Sequence, residues 1–136
     1  MKKIVMLSSL VVLAACGGIS QITPEQEIIT ENKLPIIEST KGQLCMFRVA
    51  NFVSMGSGCD VFANDEKIGR LPNSSYFCVN LMPAEYTIVA KCFGGGRQSA
   101  NVIINQGQRK YMEMSAANGT MMPQSKSMGL SGINQT

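Results

Sequence analysis

The chain has 136 residues, 45% of them apolar and 15% charged, with a formal net charge of +3. That length suits one domain and leaves no room for two sizeable ones. Histidine and tryptophan are absent and aromatics make up 6%, so Ser-His-Asp and Cys-His catalysis and every His-containing zinc site are excluded.

Met1-Lys2-Lys3 precedes a run from Ile4 to Leu13 broken only by Ser8 and Ser9, and Ala14-Ala15-Cys16-Gly17 follows. Two cations, a short apolar run and small residues form a secretory signal peptide over 1–15. The run falls short of the roughly 20 residues that a spanning helix needs. Leu13-Ala14-Ala15-Cys16 resembles the lipobox of bacterial lipoproteins. The resemblance implies cleavage before Cys16, a diacylglycerol on its thiol and an acyl chain on its new amino group. One acyl chain holds a protein only marginally, whereas two or three hold it firmly. Gly17, in place of an acidic residue, leans toward the outer membrane. Removing Lys2 and Lys3 from the 12 basic residues leaves 10 against 9 acidic, a difference of +1. The basicity belongs largely to the export signal, and nucleic acid is not an expected partner.

Residues 16–40, with two glycines after the cysteine, two prolines and an excess of glutamate, are expected to form a flexible tether. As a coil its 24 residues beyond Cys16 would span about 25–30 Å. Thr23-Pro24-Glu25-Gln26 carries a capping box and a proline suited to a first turn, which predicts a helix of one or two turns.

Residues 41–115 change to short strand-like runs: Leu44–Ala50, Asp60–Ala63, Lys67–Leu71, Tyr76–Leu81, Tyr86–Phe93, Ala100–Ile104 and Lys110–Met114. Turn residues separate them at short intervals, and Tyr86, Ile88 and Ala90 alternate with Thr87, Val89 and Lys91. The fold class expected is all-β, a small antiparallel sandwich of about seven strands. Residues 116–136 return to Asn, Gly, Ser and Pro and are expected to be a disordered tail.

Cys45, Cys59, Cys78 and Cys92 lie in the β region at intervals of 14, 19 and 14 residues. An even count in an exported domain points to two disulfides. Cys59 shares its phase with Val61 and Ala63, and Cys92 with Ile88 and Ala90, which favours Cys59–Cys92 and leaves Cys45–Cys78. Free buried thiols remain the plain alternative. A four-cysteine metal site lacks any close Cys pair, and a redox dithiol lacks its C-x-x-C, so no metal site is expected.

The run Cys59-Asp60-Val61-Phe62-Ala63-Asn64-Asp65-Glu66-Lys67-Ile68-Gly69-Arg70-Leu71, followed by Asn73-Ser74-Ser75-Tyr76-Phe77 and Leu81-Met82-Pro83-Ala84-Glu85-Tyr86-Thr87-Ile88, is similar to PEGA-type and related small β-sandwich domains of bacterial surface lipoproteins. Two family glycines are replaced, by Ser74 and Ala84. The resemblance implies an envelope-associated binding or scaffold domain, and it supplies no catalytic residues.

Nothing else in the chain assembles a chemistry. Asp60 and Glu85 read as solvated strand charges, and Gly94-Gly95-Gly96-Arg97 as a hairpin loop without the Lys-Ser/Thr of a phosphate loop. Ser54-Met55-Gly56-Ser57-Gly58 has no base to activate a serine. Met112, Met114, Met121, Met122 and Met128 read as core filling and tail rather than a copper site. The expected function is therefore a non-enzymatic, membrane-anchored envelope lipoprotein, without cofactor, that binds or braces an envelope protein or glycan. A small-ligand or metal-binding periplasmic lipoprotein is the alternative.

Overall fold

The computed structural model describes residues 22–50, 58–115 and 119–136. The signal peptide, Cys16 and most of the Ser54–Gly58 loop lie outside them. Along the chain come α1 (Pro24–Lys33), β1 (Gly42–Arg48), β2 (Cys59–Ala63), β3 (Glu66–Leu71), β4 (Ser75–Leu81), β5 (Ala84–Cys92), β6 (Arg97–Ile104), β7 (Arg109–Ser115), β8 (Thr120–Gln124) and α2 (Lys126–Asn134).

Among the described residues these strands form two four-stranded sheets, sheet A in the order β4-β1-β7-β8 and sheet B in the order β3-β2-β5-β6. The protein is an all-β sandwich, with each of the seven expected strands in place. Neighbours are antiparallel except β1 and β7, which run parallel. The antiparallel sandwich expected thus holds in every pairing but this one. The chain leaves sheet A after β4 and returns only at β7, so no tight hairpin fixes the relative direction of β1 and β7.

Side-chain alternation then assigns the layers. Leu44 and Met46 of β1, Met112 and Met114 of β7 and Met121 of β8 meet Val61, Ala63, Leu71, Ile88, Ala90, Val102 and Ile104 of sheet B. Three of the five clustered methionines thus fill the core, where an unbranched thioether adapts to irregular gaps. Gly69 belongs here as well. A Cβ on it would sit 2.7 Å from the Phe77 ring, so its bare backbone lets β4 of one sheet close against β3 of the other. At the end of β1, Arg48 is buried and donates from Nη1 to the Leu71 carbonyl at 3.4 Å, and burial lowers its pKa.

The alternate residues of sheet A point the other way. Cys45, Phe47 and Tyr111 form a second cluster with Leu34, Leu130 and Ile133. A helical layer therefore covers the outer face of sheet A, and every residue of β1 is buried. The molecule has three layers, helices on sheet A on sheet B.

Two sequence expectations fail at this layer. The tail expected to be disordered forms β8 and α2 over its described residues 119–136. Met121 reaches the core, Ser125 caps the helix by accepting from the Met128 amide at 3.3 Å, and Leu130 and Ile133 are buried. Gly129 and Gly132 allow the docking, because a Cβ on either would enter the Tyr111 or the Phe47 ring. Here glycine supplies close approach rather than freedom.

The tether is not free either. The expected capping box of Thr23 and Gln26 starts α1, but the helix runs for ten residues instead of one or two turns. It extends because its end has tertiary partners. Thr30 is buried and donates to Asn134 Oδ1 at 3.4 Å, and Glu31 pairs with Lys126 at 2.8 Å and Arg109 at 3.6 Å. Hydrogen bonding to Glu31 raises the Lys126 pKa. Beyond the helix Leu34 is buried, and the Pro35 carbonyl accepts from Gln43 Nε2 at 3.0 Å and from Arg109 at 2.8 Å. From Ile22 onward the segment is strapped to sheet A.

Both disulfides lie within sheets. Cys45–Cys78 joins directly opposed residues of β1 and β4, and Cys59–Cys92 those of β2 and β5. Each staples neighbouring strands, and neither ties one sheet to the other.

Candidate functional site

Among the described residues, with helices on sheet A, the outward face of sheet B is the broad sheet surface left uncovered. The β2–β3 hairpin helps position it. Asn64 and Asp65 have φ of 46° and 69°, the left-handed pair of a two-residue turn that suits Asn and Asp. The Asn64 side chain then accepts from the Thr87 amide at 2.9 Å, which locks the turn to β5.

The register lays the outward residues in rows across strands about 4.8 Å apart. One row reads Arg70, Asp60, Lys91, Arg97 across β3, β2, β5 and β6. The next reads Lys67, Phe62, Val89, Ser99, followed by Thr87 with Asn101 and then Glu85 with Ile103. Asp60 pairs with Lys67 at 3.1 Å and Arg70 at 3.5 Å. Lys91 places its ammonium 4.6 Å from the Phe62 ring centroid, a cation–π contact. Thr87 donates to Asn101 Oδ1 at 3.1 Å. The Arg70 guanidinium lies over Gly58, where a Cβ would come within 2.8 Å of it.

The face is polarised. Its Cys59–Cys92 end gathers four cations around one carboxylate, whereas Asp65, Glu66 and Glu85 lie toward the Asn64 end. Among the described residues Lys91 and Arg97 have no carboxylate partner. Asp60 and Glu85 stand at opposite ends, so the structure does not bring that pair together.

The other sequence candidates fall as follows. Cys16 lies outside the described residues. Gly94-Gly95-Gly96 forms the β5–β6 hairpin loop, with φ of +95° and +92° at the first two. Of the two replaced PEGA-type glycines, Ser74 keeps a left-handed φ of 53° and donates to the Thr136 carbonyl at 3.2 Å. Ala84 simply begins β5. Among the described residues no group of three His, Cys, Asp or Glu side chains could hold a metal ion.

A family model described as a protein of unknown function, DUF2846, matches residues 38–129. The chain belongs to the DUF2846 family. The match spans every strand of both sheets and the first half of α2, so the helical layer is partly within the family unit. No curated protein matches the chain. Among solved structures it is similar to the N-terminal domain of AlgF from P. aeruginosa, with a TM-score of 0.45 and 14% identity, over 66% of this chain and 100% of that one.

The basic row escaped the sequence reading because its members come from four strands up to 37 residues apart in the chain. One signal could have found it. Pairing Cys59 with Cys92 fixes the β2–β5 register, and the next outward pair is then Asp60 with Lys91.

Proposed function

We propose that this family member is a lipid-anchored bacterial envelope protein, tethered through Cys16, whose sandwich is a non-enzymatic module that binds or braces another envelope component. The observation that carries the reading is the charged, apolar and small-residue leader ending in Leu13-Ala14-Ala15-Cys16. The two disulfides add support, since such bonds persist in oxidising compartments outside the cytoplasm. Gly17 favours the outer membrane. The similarity to PEGA-type domains over residues 59–88 favours a binding or scaffold role, and those residues build β2, β3, β4 and the start of β5.

The layer order gives this reading a direction. Ile22, the first described residue, packs on the helical side of sheet A, and the outward face of sheet B lies on the opposite side of the sandwich. In this account the part of that face beyond the Arg70–Arg97 row, around Ser99, Thr87 and Asn101, meets the partner. A photo-crosslinking residue at Ser99, in intact cells, is expected to trap a discrete envelope adduct. The same probe at Ser127, on the exposed side of α2, should trap none. Adducts at Ser127 alone, or at neither position across growth conditions, would count against the reading.

A further inference from the structure

We propose that the β5–β6 hairpin docks on an anionic lipid surface, with Phe93 entering the interfacial zone and Lys91, Arg97 and Arg70 lying against the headgroups. Phe93 is 85% exposed. A single exposed ring carries little meaning on its own, but three features surround this one.

The ring is held out by a fixed turn. The Phe93 amide donates to the Gly58 carbonyl at 3.1 Å, the Cys92 amide to Gly96 at 2.7 Å and the Gly95 amide to Cys92 at 3.2 Å. The preceding residue is covalently joined to β2 through Cys59–Cys92. Among the described residues nothing lies within 4 Å of a Cβ built on Gly94 or Gly95 at the apex. Finally, Lys91 and Arg97 flank the loop as a cross-strand pair without a carboxylate partner among the described residues, and Arg70 shares its one carboxylate with Lys67.

Area and charge select the occupant. A stable protein interface needs about 800 Å² per partner around an apolar centre. Among the described residues at this end of the face Val89 is 7% exposed and the half-buried Phe62 carries the Lys91 ammonium over its ring, which leaves Phe93 as the one freely exposed ring. A membrane interface asks for less, because an aromatic ring settles at headgroup level and each cation near an anionic surface adds roughly fivefold to the binding constant. The contact does not depend on Cys16. It would fix the orientation of a domain that acyl chains alone leave free to turn.

The absence of tryptophan makes Phe93→Trp a single reporter. The reporter must be local, because the apolar run Ile4–Leu13 of the full chain would enter vesicles by itself. With vesicles of phosphatidylglycerol in phosphatidylcholine, emission from position 93 is expected to shift to the blue and to escape an aqueous quencher. Raised salt should reverse the shift, and Lys91→Gln with Arg97→Gln should raise the lipid concentration it requires by about 30-fold. The same shift is expected with Cys16→Ser, so failure of the anchor and failure of the hairpin contact read separately. Unchanged emission, or an equal shift on pure phosphatidylcholine, overturns the proposal. A shift produced by an acidic polysaccharide in place of vesicles also overturns it and assigns the hairpin to a glycan.

Discussion

Alanine at Gly132 is expected to lower the stability of the domain by about 2 kcal/mol, although it is a helix position where alanine is intrinsically favoured. The new methyl would enter the space of the Phe47 ring, and forcing extra carbon into a packed contact costs about 1–3 kcal/mol. A clash this deep falls at the upper end of that range. The gain from replacing a mid-helix glycine, about 1 kcal/mol, offsets only part of it. Because α2 is an end element, the strain escapes by undocking, which exposes Leu130 and Ile133 and uncovers Cys45 and Phe47. A fall of about 10 °C in melting temperature should accompany faster amide exchange in α2. Gly129→Ala, opposed by Tyr111, should behave alike. Ser127→Ala, on the exposed side of the same helix, should stay within about 0.5 kcal/mol. If the glycines were mere flexible filler, Gly132→Ala would instead stabilise the protein.

Loss of the disulfides has the larger expected effect. Each bridge links cysteines 33 residues apart, and closing a loop of that size in the unfolded chain contributes about 3–4 kcal/mol. A domain of this size commonly has a net stability of about 5–15 kcal/mol. Removing one bridge, as Cys59→Ala with Cys92→Ala, should shift the denaturant midpoint strongly while leaving a folded protein. Removing both, or full reduction, should leave little or no cooperative transition. Since each bridge joins strands already paired in one sheet, the gain is expected through the unfolded state and not through holding the sheets together. Equal midpoints for the oxidised and reduced forms would contradict this.

The two effects mark where the sequence was and was not legible. Strands declared themselves through alternation and turn chemistry, as at Asn64 and Asp65, whose left-handed φ values those residue types tolerate. The phases of Cys59 and Cys92 matched because the opposed residues Val61 and Ala90 point into one core. The helical layer was hidden because Gly129, Ser131 and Gly132 look alike as loose tail and as a close-packing face. A clue was present in Leu44-Cys45-Met46-Phe47, an unbroken apolar run where a sandwich strand solvated on one side would alternate. Read as a strand covered on both faces, it calls for a further layer. The basic row was hidden for another reason, since a surface assembled from four strands exists only once their register is known.

The anchor at Cys16 is the claim from which the envelope reading is built. Its most direct test is the intact mass of the mature protein extracted from cell membranes. The account predicts a chain beginning at Cys16, heavier by a diacylglyceryl group and an amide-linked acyl chain, and lighter by the four hydrogens of two disulfides. A chain of unmodified mass that retains residues 1–15 and is recovered from the cytosol would contradict it.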